Sequence, residues 1–154
     1  GRKSSPRSSV REDQAHFALD PQSNHFTEKH MAYTEKFQQH ADTARAQVAA
    51  VEPGEVDTLV AAGAIALDIR DPDEHATDHI SDSLNISRGK LEMYLEAKVP
   101  DLDTPILCYC NAVNRGALSA ATLRSMGYVN ARYVDGGLNA YNALKSAPSS
   151  EGSH

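Results

Sequence analysis

Apolar positions in this chain fall into short blocks that alternate between unbroken runs and helical spacing. Residues 64–69 (A-I-A-L-D-I) form a nearly continuous apolar run, the pattern of a strand covered on both faces. Residues 106–109 form a second buried strand, and residues 84–86 and 131–134 two shorter ones. Helix-forming segments lie between them. Pro53 and Gly54 open a helix through Val56, Leu59 and Val60, which Gly63 stops. Further helices are predicted over 73–79, from 89 to about 97, over 115–126 with Gly127 as terminator, and over 137–144. Upstream, Phe37, Ala41, Ala44 and Val48 make a partly amphipathic stripe, predicting an N-terminal helix within residues 31–50. Residues 48–51 read equally well as a short first strand. Strands separated by helices imply right-handed crossovers and a three-layer α/β/α fold around a small parallel sheet of about five strands.

The ends differ from this middle. Residues 1–30 are polar and rich in Ser, Gln, His and Arg, with no apolar core segment of a secretory signal. They are expected to be an appended leader or a disordered extension, with Met31 as a natural start, and residues 147–154 a loose tail. Residues 51–146 are left as the domain proper.

Composition narrows the function. Fifteen Lys and Arg against 21 Asp and Glu give a net charge of −6, and no basic stripe stands out. Nucleic-acid and anionic-membrane partners are therefore not expected. No apolar run approaches the roughly 18 residues of a membrane span. Two cysteines in one strand are no disulfide framework, which suits a reducing, cytoplasmic setting, or a periplasmic one if a native signal has been removed.

The most informative chemistry is at Cys110. A strand ends there, four uncharged residues follow (Asn111, Ala112, Val113, Asn114), and Arg115 and Gly116 lead into an alanine-rich helix. This places a thiol over a helix N-terminus, where unpaired N–H groups and the helix dipole favour negative charge. A thiolate is the nucleophilic form, and Arg115 adds a permanent cation with a fork of donors. In parallel α/β sheets ligands sit at the carboxyl ends of strands, which is where Cys110 falls.

Several segments together resemble the single-domain rhodaneses, from about Val51 to Leu144. They are L-D-I-R-D-P-D-E-H (67–75), D-H-I-S-D-S-L-N-I (78–86), C-N-A-V-N-R (110–115) and D-G-G-L-N-A-Y (135–141). S-R-G-K-L-E (87–92) is similar to the matching segment of polysulfide-sulfur transferases in that group. Asp78 stands where the family has glycine, Ser81-Asp82 where it has Pro-Gly, and Tyr141 where Trp is frequent. Those positions shape turns and packing at the rim.

The resemblance implies a sulfurtransferase working by double displacement. Cys110 takes the outer sulfur of thiosulfate, a polysulfide or a persulfide, and a thiol or cyanide acceptor removes it. No cofactor is implied. The backbone amides of Asn111, Ala112, Val113, Asn114, Arg115 and Gly116 are expected to form a nest around the sulfur. Arg115 is expected to hold the loop and attract an anionic donor, with Arg88 and Lys90 adding positive field at the mouth. Because the loop side chains are uncharged, polysulfide or a thiol persulfide is expected to be a better donor than thiosulfate. Polysulfide-transferring relatives can be homodimers, so the N-terminal helix is either a dimer element or a cover for its own sheet.

Two rival functions arise. Phosphatase or arsenate chemistry also uses cysteine, an anion loop and arginine, but its loop has one residue more than the four between Cys110 and Arg115. Counting from Cys108 leaves six, one too many. A non-catalytic docking or regulatory module is the alternative, because a fold alone fixes no activity.

Other residues have structural expectations. Cys108 is read as a core position rather than a resolving thiol. His75 and His79 have the i, i+4 spacing of a metal pair, but no third ligand is evident, so no metal is expected. Asp68 and Arg70 follow a buried strand and are expected to brace the fold, with Glu74 paired to an arginine; the alternative puts Arg70 near the thiol loop as a substrate-binding residue. Gly136 and Gly137 are expected to allow positive φ or close approach to that loop.

Overall fold

Apolar residues on alternate positions of the central strands build two cores, one on each face of a five-stranded parallel sheet. The computed structural model describes residues 33–146. The expectations for the leader, Met31 and the tail lie outside the described residues.

The strands are β1 (Ala50–Val51), β2 (Ile65–Asp68), β3 (Leu84–Asn85), β4 (Ile106–Tyr109) and β5 (Ala131–Val134), in the spatial order β1-β5-β4-β2-β3. All pairings are parallel. The long central pair, β2 and β4, is the pair written as unbroken apolar runs. It is buried on both faces, and register sets Leu67 against Cys108 and Asp68 against Tyr109. The helices are α1 (Glu35–Gln47), α2 (Val56–Ala61), α3 (Pro72–Thr77), α4 (Leu91–Lys98), α5 (Asn114–Ser125) and α6 (Gly137–Lys145).

Strand alternation assigns each side chain to a face. Ile106, Cys108 and Cys110 point to the core shared with Leu91 and Leu95 of α4 and Ala117, Ala120 and Leu123 of α5. Leu107 and Tyr109 point the other way, to Val56 and to Leu138 and Tyr141 of α6. The expected three layers are therefore present. Cys108 is a fully buried core residue, as expected.

Boundaries moved where short helical turns intervene. Residues 53–55 and 88–90 are 3₁₀ turns ahead of α2 and α4 rather than the first turns of longer helices. The N-terminal helix is shorter than 31–50 because β1 takes residues 50 and 51, the alternative the apolar pattern left open. Gly63 and Gly127 follow helix ends with φ of +115° and +105°, a conformation that favours glycine.

Helix α1 lies on α5 of its own chain. Ala41 and Ala44 are buried against Leu118, with Phe37 and Ala121 at the margin, and small residues let the two helices approach closely. Gln38 Oε1 accepts a hydrogen bond from Asn114 Nδ2 at 3.3 Å, so α1 also touches the residue that begins α5. Among the described residues, no helix is long and apolar enough to cross a membrane.

Candidate active site

Strand β4 ends at Tyr109, whose carbonyl accepts the Ile69 N–H at 3.1 Å, and Cys110 is the next residue. Residues 111–113 turn the chain, and Asn114 starts α5. A strand continued as a helix after so short a turn must lay the helix N-terminus over the strand end. Gly116, in the first turn of α5, makes this close approach workable. A Cβ there would stand 3.2 Å from the Cys108 carbonyl oxygen and 3.3 Å from Tyr109 Cα. The Gly116 N–H, one of the helix-end amides with no partner inside the helix, points at Cys110 Sγ at 3.4 Å. The amide nest is thus narrower than its six-residue expectation: among the described residues, Gly116 supplies the amide within hydrogen-bond reach of sulfur.

The thiol is nearly enclosed, with Cys110 only 3% exposed. Its loop is fixed from two directions. From one side the start of α6 grips the main chain: Leu138 N–H donates to the Cys110 carbonyl at 2.8 Å and Asn139 N–H to the Asn111 carbonyl at 3.1 Å. Gly137 lies so close that a Cβ would collide with the carbonyl oxygens of Cys110 and Ala112, and its φ is +59°. Both properties expected of the paired glycines, positive φ and close approach, meet at this residue.

From the other side a polar network holds the loop side chains. Arg70, only 4% exposed, donates from Nε and Nη2 to the two oxygens of the buried Asp68 carboxylate, at 2.9 and 2.7 Å. Its Nη1 donates to Asn111 Oδ1 at 2.9 Å, and Nη2 also reaches the Asp78 carbonyl at 2.6 Å. Arg70 therefore braces the fold and also touches the first residue of the thiol loop. Burial opposes the charge of Asp68, but the hydrogen bonds from Arg70 and His75 outweigh it and hold this carboxyl below its ordinary range.

Glu74 joins both ends of the loop. Its Oε1 accepts from the Asp71 N–H at 3.1 Å, closing the first turn of α3, and from Arg115 Nη1 at 3.4 Å. Its Oε2 accepts from Asn111 Nδ2 at 3.4 Å. Burial alone would raise the Glu74 carboxyl; the Asp71 amide and Arg115 pull it below its usual value. Arg115 is the expected loop-holding arginine, and Glu74 is the acid that it pairs with.

Beside Cys110 in the same core, the Cys108 thiol is pushed far up by burial and then by the neighbouring Cys110. Ionisation of Cys108 is disfavoured. On the opposite face of the sheet, Tyr109 braces the 80–83 segment. Its hydroxyl accepts the Ile80 N–H at 3.0 Å and pairs with the Ser83 hydroxyl at 2.8 Å, and burial moves it up to about 12. Sequence reasoning alone misses Tyr109 and Ser83, because a tyrosine in a buried strand reads as core. A hydroxyl that far inside has to find a partner, and that need was the available signal.

The remaining expected site residues divide. Ala112, Val113 and Asn114 occupy the loop and the start of α5 as anticipated, Ala112 exposed. Arg88 instead lines a groove between α1, the 88–90 turn and α5, and no residue of 110–116 lines that groove with it. His75 Nδ1 donates to Asp68 Oδ2 at 2.9 Å, and its ring stacks on His79 with centroids 3.8 Å apart. No metal-holding cluster of His, Cys, Asp or Glu occurs among the described residues.

A parallel three-layer sheet with a cysteine at the end of its central strand and an arginine-closed loop over a helix N-terminus defines a rhodanese-type domain. The chain belongs to this family: the model of the rhodanese-like domain matches residues 52–144. A curated relative from Pseudomonas fluorescens, named thiosulfate sulfurtransferase GlpE, is 30% identical over 102 residues, 66% of this chain and 92% of that protein. The polysulfide-sulfur transferase homodimer of Wolinella succinogenes is similar at 27% identity and TM-score 0.59, over 71% of this chain and 84% of that one. A Rhodopseudomonas palustris protein described as a possible tyrosine phosphatase aligns at 26% identity and TM-score 0.64, over 74% and 94% of the two chains.

Proposed function

We propose that the protein is a sulfurtransferase that carries sulfane sulfur on Cys110. The observation that supports this best is the Gly116 amide aimed at Cys110 Sγ inside a loop held rigid at both ends. Membership of the rhodanese-like family and a curated relative named as a thiosulfate sulfurtransferase point the same way. The phosphatase description of one structural neighbour does not transfer, because the loop here is one residue short for a tetrahedral oxyanion.

The Cys110 thiolate attacks the terminal sulfur of the donor. The donor S–S bond breaks, sulfite or a chain shorter by one sulfur leaves with the electron pair, and a Cys110 persulfide remains. A thiol or cyanide then attacks the outer sulfur and regenerates the thiolate. Gly116 N–H stabilises negative charge on Sγ in both half-reactions, and Arg115 with Asn111 holds the loop around the added sulfur. No charged side chain occupies residues 111–114, so donors with a single charge or with charge spread along a sulfur chain, a persulfide or a polysulfide, are favoured over compact, doubly charged thiosulfate. Two free thiols suit a reducing compartment.

Intact mass after incubation with polysulfide or thiosulfate is the test. A gain of one sulfur, reversed by cyanide and absent in Cys110→Ser, is the expected result. No adduct from either donor sinks the reading and leaves a docking module. Comparing kcat/KM for the two donors at fixed ionic strength checks the donor preference, and light scattering from residue 31 onward checks whether the chain dimerises.

A further inference from the structure

Helix α1 lies outside the residues matched by the rhodanese-like domain, yet it builds one wall of an open groove of about 220 Å³. His40, Thr43 and Gln47 of α1 face Thr122 and Ser125 of α5 across it, and Arg88 closes one side. The floor is apolar, from Ala44, Leu118 and Ala121. No carboxylate lines this groove, and none of the ion pairs among the described residues involves Arg88. In a chain of net charge −6 with 21 acids, a half-buried arginine without an acid partner is an open anion position.

The groove is close to the thiol loop. Arg88 N–H donates to the Ile69 carbonyl at 3.0 Å, and Ile69 N–H donates to the Tyr109 carbonyl at 3.1 Å. Its backbone is thus two strand spacings, about 10 Å, from the end of β4, where Cys110 follows. The α5 wall begins one turn beyond the Cys110 loop, and Gln38 of α1 is bonded to Asn114.

We propose that this groove binds the carboxylate end of a small thiol acid and so selects the sulfur acceptor. The planar guanidinium fork of Arg88 matches a carboxylate in bidentate fashion, and the apolar floor takes a short carbon chain. The volume is below the roughly 300–1,000 Å³ of sites for drug-sized ligands, so a small anion is enough to fill it. The proposal rests on Cys110 acting as the sulfur carrier, but its groove can be tested without that chemistry.

The binding probe is 3-(methylthio)propanoate, a carboxylated thioether that cannot accept sulfur. Titrated into the unaltered chain and followed by amide and arginine side-chain NMR, it is expected to shift His40, Thr43, Gln47 and Arg88 saturably. Arg88→Gln is expected to abolish those shifts. The kinetic arm compares 3-mercaptopropionate with cyanide as acceptors for the preformed persulfide. The ratio of their kcat/KM values is expected to fall about tenfold in Arg88→Gln and in Thr43→Leu, which fills the groove, for the loss of one charge-assisted contact. Thr43 is exposed, so its replacement leaves the core intact. Saturable binding without any Cys110 adduct overturns the sulfur-carrier reading and leaves the groove standing. A Cys110 adduct with no saturable shifts, or with an unchanged acceptor ratio, overturns the groove proposal alone.

Discussion

Arg70 Nη1 donates to Asn111 Oδ1 at 2.9 Å while the other arms of the same guanidinium hold the Asp68 carboxylate. One buried cation therefore couples the end of β2 to the first residue of the thiol loop. Removing it leaves a buried carboxylate without its main partner. Arg70→Ala is expected to cost about 3–5 kcal/mol in urea unfolding. Arg70→Lys keeps the charge but not the fork, so it should retain more stability than Arg70→Ala and still slow persulfide formation. Equal unfolding midpoints for wild type and Arg70→Ala would remove the network from the account of the fold.

Gly137 is the second point of control. Its positive φ alone costs a side-chain-bearing residue about 1–2 kcal/mol, and the collision with the Cys110 and Ala112 carbonyls adds to that. Gly137→Ala should therefore destabilise the fold by more than its backbone cost and reduce sulfur uptake as the loop shifts. Thermal unfolding and the rate of the mass gain check the two effects. A variant as stable and as fast as wild type contradicts the close packing.

Acid stability should depend on Asp68. Its folded carboxyl is held below the ordinary range, so the stability gained from its ionised form is fully present above the unfolded value of about 3.9. It is lost as pH falls through the lower folded value. Asp68→Asn should be less stable than wild type at pH 7, and the gap should narrow as pH drops below about 4. Unfolding curves between pH 7 and pH 2 measure this. A gap that widens on acidification would reverse the assigned sign.

The two cysteines should react very differently. Cys110 is 3% exposed beneath a narrow loop, whereas Cys108 is fully buried with its ionisation suppressed. Iodoacetamide on the native chain is expected to add one group, at Cys110, and a second only after denaturation. A bulky aromatic disulfide should react with Cys110 far more slowly, relative to a free thiol, than iodoacetamide does. Peptide mapping locates each adduct. Modification of Cys108 in the folded chain, or Cys110 resisting both reagents, counts against a thiol reached only by slim donors.

Much of this arrangement is legible in the amino-acid sequence. The unbroken apolar runs of β2 and β4 announce strands covered on both faces, and a cysteine at the end of one of them locates the site. Strands β1 and β3 have two residues each, too few to show a period, and their pairing comes from neighbours distant in the chain. Side-chain roles set by tertiary contact are less readable. Sequence reasoning makes Glu74 a partner for one arginine, but it also caps α3 and holds Asn111. The same reasoning puts Arg88 at the mouth, because it follows the short strand β3. The groove beside α1 takes it instead, and the stripe of Phe37, Ala41 and Ala44 marks the buried face of α1 without saying that α5 covers it.

The suppressed acidity of Cys108 bears on how the protein would fare under oxidative stress. An adjacent thiol able to ionise could condense with a sulfenic acid on Cys110 and stop its oxidation at a reducible disulfide. Burial disfavours that ionisation at Cys108, so peroxide damage at Cys110 would be poorly caught from inside the fold. It proceeds toward sulfinic acid unless a thiol from outside arrives first, leaving resistance to oxidation in the hands of the surrounding thiol pool.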